Sequence, residues 1–114
     1  MELRHLRYFI AVAEEGSLTN AAERRLHTAQ PSLSRQIRYL ELEIGVKLLE
    51  RKARGTALSA AGRVFLDHVR LALMQIEVAC EAATNRWNRA QLWTEGQIRL
   101  QFLQSRVRSS GWRE

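Results

Sequence analysis

The sequence has few of the residues that build cross-links, metal sites or membrane spans. Cys80 is the only cysteine, so no disulfide can form within the chain. Its three histidines are scattered, and neither a Cys/His metal spacing nor a glycine-rich phosphate loop occurs. No apolar run approaches bilayer length, and Glu2 and Arg4 interrupt any signal-peptide pattern. We therefore expect a cytoplasmic protein that is not an enzyme and has no metal, cofactor or membrane segment.

Proline is also scarce, and the single one, Pro31, marks the stretch that organises the chain. Residues 28–41 are predicted to form a helix with Pro31 in its first turn, where a missing N–H costs little. Thr28 is the candidate cap of that turn. One face has the spacing of a core stripe, made of Leu33, Ile37, Leu40 and Ile44.

The opposite face of this helix is polar and cationic. It carries Gln30 at the leading end, followed by Pro31, Ser34, Arg35 and Arg38. Glu41 and Glu43 come only in the last turns, where they would repel phosphate. This polarity suits a helix whose N-terminal end enters the major groove of DNA, and the net charge of +6 is compatible with an anionic partner. An ordinary surface helix with a solvated face is the alternative interpretation.

Two further helices are predicted before this one. The first spans about residues 3–15 and ends at Gly16, and the second runs from Leu18 to about Arg25 behind Ser17 as N-cap. The predicted core stripe of the first helix is Leu6, Ile10 and Ala13, with Leu3 and Phe9 alongside. The short turn that follows makes residues 18–38 a helix-turn-helix candidate.

After Gly45, residues 47–51 and 56–58 are predicted to form two short strands joined by a turn. Such a hairpin is the wing of a winged helix, with the cations Arg51, Lys52 and Arg54 at its tip. A solvated turn is the alternative interpretation. Clustering of the cations beside the recognition helix favours contact with phosphate or the minor groove.

A long fourth helix is predicted from a cap at Ser59 to roughly Arg89. Its apolar residues alternate spacings of three and four over more than three heptads. This seam contains Leu66, Val69, Leu73, Ile76, Cys80, Ala83, Trp87 and Ala90. Thirty helical residues reach about 45 Å, so most of the seam is expected to need a second chain. A stripe packed on its own domain is the alternative.

Beyond Leu92 the pattern changes. Residues 97–102 alternate polar and apolar side chains, which predicts a strand, although no partner strand is visible. Residues 104–114 are rich in Arg and Ser without a clear period, which is typical of disorder.

Taken in order, several spaced motifs resemble the N-terminal region of LysR-type transcriptional regulators of bacteria. The motifs are Met1–Phe9, Gly16–Thr19 with Ala21 and Ala22, Ala29–Ile37, Leu40–Glu41, Gly45–Arg51 and Leu58–Gly62. The resemblance covers roughly residues 1–90. It implies a mainly α fold, with a winged helix-turn-helix over residues 1–58, a wing at about 47–58 and a linker and dimerisation helix over residues 59–91.

The resemblance also implies a function and a partner. The expected protein is a transcriptional regulator that binds double-stranded promoter DNA at an interrupted palindrome, as a homodimer with antiparallel linker helices. In the family, bases are approached by the residues that match Gln30, Pro31, Ser34 and Arg35. The DNA backbone lies near those that match Ser17, Thr19 and Ser32. The wing that matches residues 52–54 enters the minor groove. Higher oligomers and a small-molecule inducer would require an effector domain, of which residues 92–114 would be only the stub.

One departure from the family pattern concerns the stretch between Ala22 and Gln30, which is one residue longer than usual. We expect the end of the second helix or the turn to absorb the extra residue. A rival function is a winged-helix module that binds another protein rather than DNA, and the salt dependence of DNA binding separates the two.

Overall fold

The computed structural model describes the backbone of residues 1–109 and the side chains of residues 1–104. Its elements are α1 (Leu3–Glu15), α2 (Leu18–Asn20) continued by a π-helical segment (Ala21–Leu26), α3 (Gln30–Ile44), β1 (Leu49–Lys52), β2 (Gly55–Leu58) and α4 (Ala60–Ser109). Residues 1–73 form one compact unit, and a second begins at Met74. The predicted mainly α fold, with three helices and a two-stranded wing before a long helix, is confirmed.

The predicted helix ends and caps around α1 and α2 are confirmed. Gly16 adopts a left-handed conformation with φ of 68°, and its N–H donates to the Val12 carbonyl at 2.9 Å. Ser17 then accepts the Asn20 N–H on its Oγ at 3.2 Å. One glycine and one serine are thus enough to end α1 and begin α2.

The core face of α1 differs from the predicted one. Leu6, Phe9 and Val12 are buried, whereas Ile10 and Ala13 are only half-buried. The buried face is centred on Phe9, whose ring packs edge-on against Phe65 of α4 with ring centroids 5.3 Å apart. Leu3 is exposed.

The extra residue between Ala22 and Gln30 falls in a π-helical turn. The N–H groups of both His27 and Thr28 donate to the Ala22 carbonyl, so this turn holds more residues than an α-helical one. His27 closes it in a left-handed conformation with φ of 50°. The segment thereby accommodates the longer stretch, and Ala21 and Ala22 within it are fully buried.

α3 has the predicted core stripe but a different cap. Leu33, Ile37 and Leu40 are buried, Ile44 is half-buried, and Pro31 lies in the first turn as expected. Thr28 is not the cap, because α3 begins at Gln30 and Thr28 therefore lies one residue before the cap position. Ala29 takes the N-cap position with extended backbone and offers no side-chain hydrogen bond.

The first part of α4 belongs to the core of its own unit. Leu66, Val69 and Leu73 are 5–7% exposed. These three residues of the predicted dimer seam therefore pack within their own chain, which corrects that part of the expectation. α1 lies beside this part of α4, since Phe9 contacts Phe65 and Glu14 pairs with Arg70.

An ion-pair cluster on the surface of this unit joins three elements. Glu14 of α1 accepts hydrogen bonds from Arg25 of the π-helical segment at 2.5 Å and from Arg70 of α4 at 3.2 Å. The hydrogen bond from Arg25, with a smaller contribution from Arg70, lowers the pKa of the Glu14 carboxyl. The side chains are more than a third exposed, so this cluster adds little to stability.

α4 continues to Ser109, and the strand predicted at Gln97–Phe102 is wrong. Gln, Arg and Leu are good helix formers, and a lone strand has no ladder to satisfy its backbone, so helical hydrogen bonding prevails. The disorder predicted from Gln104 does not extend to residues 104–109, which are helical, and residues 110–114 lie outside the described residues. In the described part of the chain no helix is long and apolar enough to span a membrane.

The start of α4 packs closely on the chain segment before the wing. Ser59 caps the helix as predicted, since its Oγ accepts the Gly62 N–H at 2.9 Å. A Cβ at Gly62 would lie only 2.1 Å from the Leu48 carbonyl oxygen. Glycine is therefore required here by a backbone-to-backbone approach.

Substituting this glycine should destabilise the first unit. Gly62→Ala forces the Leu48 carbonyl away from α4, and we expect a loss of about 1–3 kcal/mol in the free energy of unfolding, as for other overpacked sites. Gly96→Ala is the matched control, because nothing lies within 4 Å of a Cβ there. Urea unfolding followed by circular dichroism measures both, and equal stability of the two variants would contradict the close approach.

Candidate nucleic-acid interface

The wing is a two-stranded antiparallel hairpin with a two-residue loop. Leu49 pairs with Leu58 and Lys52 with Gly55, which leaves Ala53 and Arg54 at the tip. The strands therefore start and end within one or two residues of the predicted limits. Lys52 and Arg54 are exposed at or next to the loop, as the sequence predicted, whereas Arg51 lies within β1 opposite Thr56 and not at the tip.

A backbone contact fixes the wing against the turn between α1 and α2. The Thr56 N–H donates to the Gly16 carbonyl at 2.9 Å. Gly55 has φ of 115°, and a Cβ there would lie 2.5 Å from the same carbonyl oxygen. The β2 strand can approach this turn only because residue 55 is a glycine.

The predicted base-contacting residues all lie on the surface of α3. Pro31, Arg35 and Arg38 are exposed, and Gln30 and Ser34 are half-buried. The side chains are thus available to a ligand along the N-terminal two-thirds of the helix. Arg51 extends from the wing to this face, where its Nη2 donates to Ser34 Oγ at 3.2 Å. The structure therefore brings one predicted wing cation next to a predicted base-contacting residue.

A groove of about 750 Å³ lies between α3 and the wing. Its walls include Ser34 and Arg38 from the helix and Arg51 and Thr56 from the wing, over a floor that includes Leu18. Lys47, Glu41 and Glu50 line it as well, so cationic and acidic side chains share one concave surface. The cations can attract an anionic chain whose charges are spaced along the groove.

The predicted backbone-contacting residues fall in two places. Ser17 and Thr19 lie at the start of α2, and Ser32 lies in the first turn of α3. Thr19 is exposed, whereas Ser17 and Ser32 are half-buried. The Ser17 hydroxyl already accepts the Asn20 N–H, so its remaining capacity is as a donor.

Glu41 has a structural role that its sequence position does not indicate. Its Oε2 accepts the backbone N–H groups of Leu48 at 2.7 Å and Leu49 at 3.2 Å, so it joins α3 to the base of the wing. The pattern of charges along the helix suggested only repulsion of phosphate. Among the residues that the structure describes, no group of His, Cys, Asp and Glu could hold a metal ion.

Comparison with protein families finds one matching model, described as the bacterial regulatory helix-turn-helix protein, lysR family, over residues 3–63. Among similar proteins, the HTH-type transcriptional regulator AlsR of Bacillus subtilis is 59% identical over 83 residues, which are 73% of this chain and 27% of AlsR. The HTH-type transcriptional regulator TfdT of Cupriavidus pinatubonensis is 45% identical over 102 residues, 90% of this chain and 42% of TfdT. This chain thus spans less than half the length of these curated relatives.

Solved structures with a similar fold include two DNA-binding domains in complex with DNA. The domain of CbnR bound to DNA has a TM-score of 0.70 and 47% identity, covering 73% of this chain and 94% of that one. The domain of BenM bound to the benA site 1 DNA has a TM-score of 0.71 and 45% identity, covering 75% of this chain and 98% of that one.

Proposed function

This chain belongs to the lysR family of bacterial regulatory helix-turn-helix proteins, and we propose that it is a sequence-specific DNA-binding transcriptional regulator. In this proposal α3 enters the major groove of double-stranded DNA and the wing enters the adjacent minor groove. The chain acts by binding rather than catalysis, and it works in the cytoplasm, where promoter DNA is accessible. The related domains of CbnR and BenM, both crystallised on DNA, support the proposal.

The observation that carries the proposal is the joining of α3 and the wing into one cationic surface. Arg35 and Arg38 are exposed on the helix, and Arg51 reaches across to Ser34 from the hairpin. A helix fits the major groove, and a hairpin beside it is placed to follow the phosphate backbone toward the minor groove. Binding therefore combines base readout from α3 with sequence-independent phosphate contacts from the wing.

Base readout should depend on Arg35, with Gln30 as the second reader. Arginine donates to guanine O6 and N7 in a bidentate arrangement, and glutamine pairs similarly with adenine. Arg35→Ala should cost about 1–3 kcal/mol of binding free energy at one base position and relax the preference there. Competition binding with an operator and its single-base variants measures this.

Arg7→Ala is the control for Arg35→Ala, because it removes an equal charge from an exposed position on α1. It should leave the order of preference among operator variants unchanged. An Arg35→Ala loss that is equal for every operator variant would make Arg35 a phosphate contact instead of a base reader.

The wing cations should act mainly on phosphate. Replacing both Lys52 and Arg54 with Ala should flatten the slope of log K against log salt by about one to two units, since each neutralised phosphate releases counterions. Fluorescence anisotropy on the operator at several salt concentrations gives the slope. A reduced affinity with an unchanged slope would show that the wing only supports the fold. Binding of the unmodified chain that does not weaken with salt would favour the rival protein-interaction module.

We further propose that the chain is a homodimer through α4. With Leu66, Val69 and Leu73 packed within their own unit, the part of the predicted seam left for a second chain is Ile76, Cys80, Ala83, Trp87 and Ala90. Ile76 is half-buried, and the other four are exposed in the single chain. Two-fold pairing of such helices would place two recognition helices on one face of the duplex, which matches a palindromic site.

The mass of the chain in solution tests the dimer. Sedimentation equilibrium at micromolar concentration should give a dimer for the unmodified chain, whereas Ile76→Asp with Trp87→Asp should give a monomer that binds half-sites weakly. Gln75→Asp introduces a charge at an exposed polar position of the same helix and should remain dimeric. A monomer mass for the unmodified chain would contradict this proposal.

A further inference from the structure

We propose that Glu41 is a positioning residue for DNA binding, because it sets the orientation of the wing relative to the recognition helix. One carboxylate oxygen accepts two consecutive backbone N–H groups, those of Leu48 and Leu49. Leu49 is the first residue of β1, so the contact lies where the wing begins. The inference rests on the DNA-binding function proposed above and identifies a residue that serves it without touching DNA.

The segment that Glu41 holds is also held from its other side. The Leu48 side chain is fully buried, and its carbonyl accepts the Ser59 N–H at 2.9 Å. Ser59 Oγ in turn donates to the Lys47 carbonyl at 2.7 Å. The start of β1 therefore lies between α3 and the beginning of α4. Glu41 supplies the α3 side of this arrangement through an acceptor oxygen at the end of a side chain of the required length.

This position gives Glu41 control over the cations of the wing. β1 has four residues, and the tip with Arg54 follows directly, so a small rotation at Leu49 is carried to the tip. Arg51 meets Ser34 of α3 only if the wing keeps its orientation. The salt dependence of affinity reflects how many cations contact phosphates at the same time. A misplaced wing therefore makes fewer phosphate contacts, although none of its cations has been removed.

Charge repulsion predicts the opposite outcome when Glu41 is replaced. Glu41 lines the groove that also contains Arg38 and Arg51, so a purely repulsive carboxylate would weaken DNA binding, and its removal would strengthen it. A positioning carboxylate would instead be needed for binding. The sign of the change in affinity therefore separates the two roles.

Four variants of the whole chain make the test. Glu41→Ala removes acceptor and charge, Glu41→Gln removes the charge but keeps an oxygen at the same reach, and Glu41→Asp keeps the charge on a shorter side chain. Glu43→Ala is the matched control, since Glu43 lies on the same helix and pairs with the Met1 amino group at 2.7 Å rather than with the wing. Thermal unfolding identifies the folded variants, and titration of active protein corrects each affinity.

Amide exchange tests the contact without DNA. In Glu41→Ala and Glu41→Asp the N–H groups of Leu48 and Leu49 should exchange about three- to tenfold faster, whereas Glu41→Gln should remain close to the unmodified chain. If Glu41→Ala does not fold, the comparison of Glu41→Asp with Glu41→Gln still shows whether the length or the charge of the side chain protects these two N–H groups. Unchanged exchange in the folded Asp variant would overturn the proposal, even if the unmodified chain binds DNA.

DNA titrations then test the consequence. Glu41→Ala or Glu41→Asp should weaken DNA binding and flatten the slope of log K against log salt by about one to two units. In a chain where Lys52 and Arg54 are already Ala, neither Glu41 substitution should flatten this slope further. Glu41→Gln should restore the slope. The positioning role would be overturned if Glu41→Ala and Glu43→Ala strengthened DNA binding equally. It would also be overturned if Glu41→Ala lowered the melting temperature but left the slope of log K against log salt unchanged. An unmodified chain without salt-dependent binding would overturn the proposed function and, with it, this role.

Discussion

The backbone around Leu48 is the constraint on which the arrangement of the first unit depends. The Leu48 side chain is fully buried, the Leu48 N–H donates to Glu41 of α3, and the Leu48 carbonyl accepts the Ser59 N–H just before α4. Gly62 lies so close to that carbonyl that no side chain fits between them. α3, the wing and the start of α4 are thus fixed with respect to one residue, which sets the geometry of the surface that α3 and the wing form.

Short-range signals in the sequence were sufficient for the order and limits of most elements. Gly16 and Gly45 end helices, and Ser17 and Ser59 begin them, because a left-handed residue or a hydroxyl acceptor acts on atoms within four residues. The buried stripe of α3 followed from spacing alone. The predicted cap at Thr28 is wrong because the preceding π-helical turn extends to that residue and α3 begins only at Gln30, which the local pattern does not reveal.

The residues of the candidate site could be predicted from the sequence, but the hydrogen bonds between them could not. Arg35, Arg38 and the wing cations were identified by charge and position. The hydrogen bond from Arg51 to Ser34 joins residues 17 apart in the chain, and that from Leu48 to Glu41 crosses the turn after α3. Such contacts depend on how the wing folds back, and a glutamate near cations gives no sequence signal that distinguishes repulsion of phosphate from support of a hairpin.

The heptad pattern of α4 shows why a periodic stripe does not identify what covers it. The same spacing continues from Leu66 to Trp87, yet Leu66, Val69 and Leu73 lie in the core of their own unit while side chains 77–104 are exposed. A helix can present one apolar stripe to its own domain over its first turns and to another molecule afterwards. This is because removing apolar surface from water is favourable whichever apolar surface covers it. Burial of the stripe within the chain ends near Ile76, so a substitution before that point tests the folding of the first unit, and a substitution after it tests the proposed dimer.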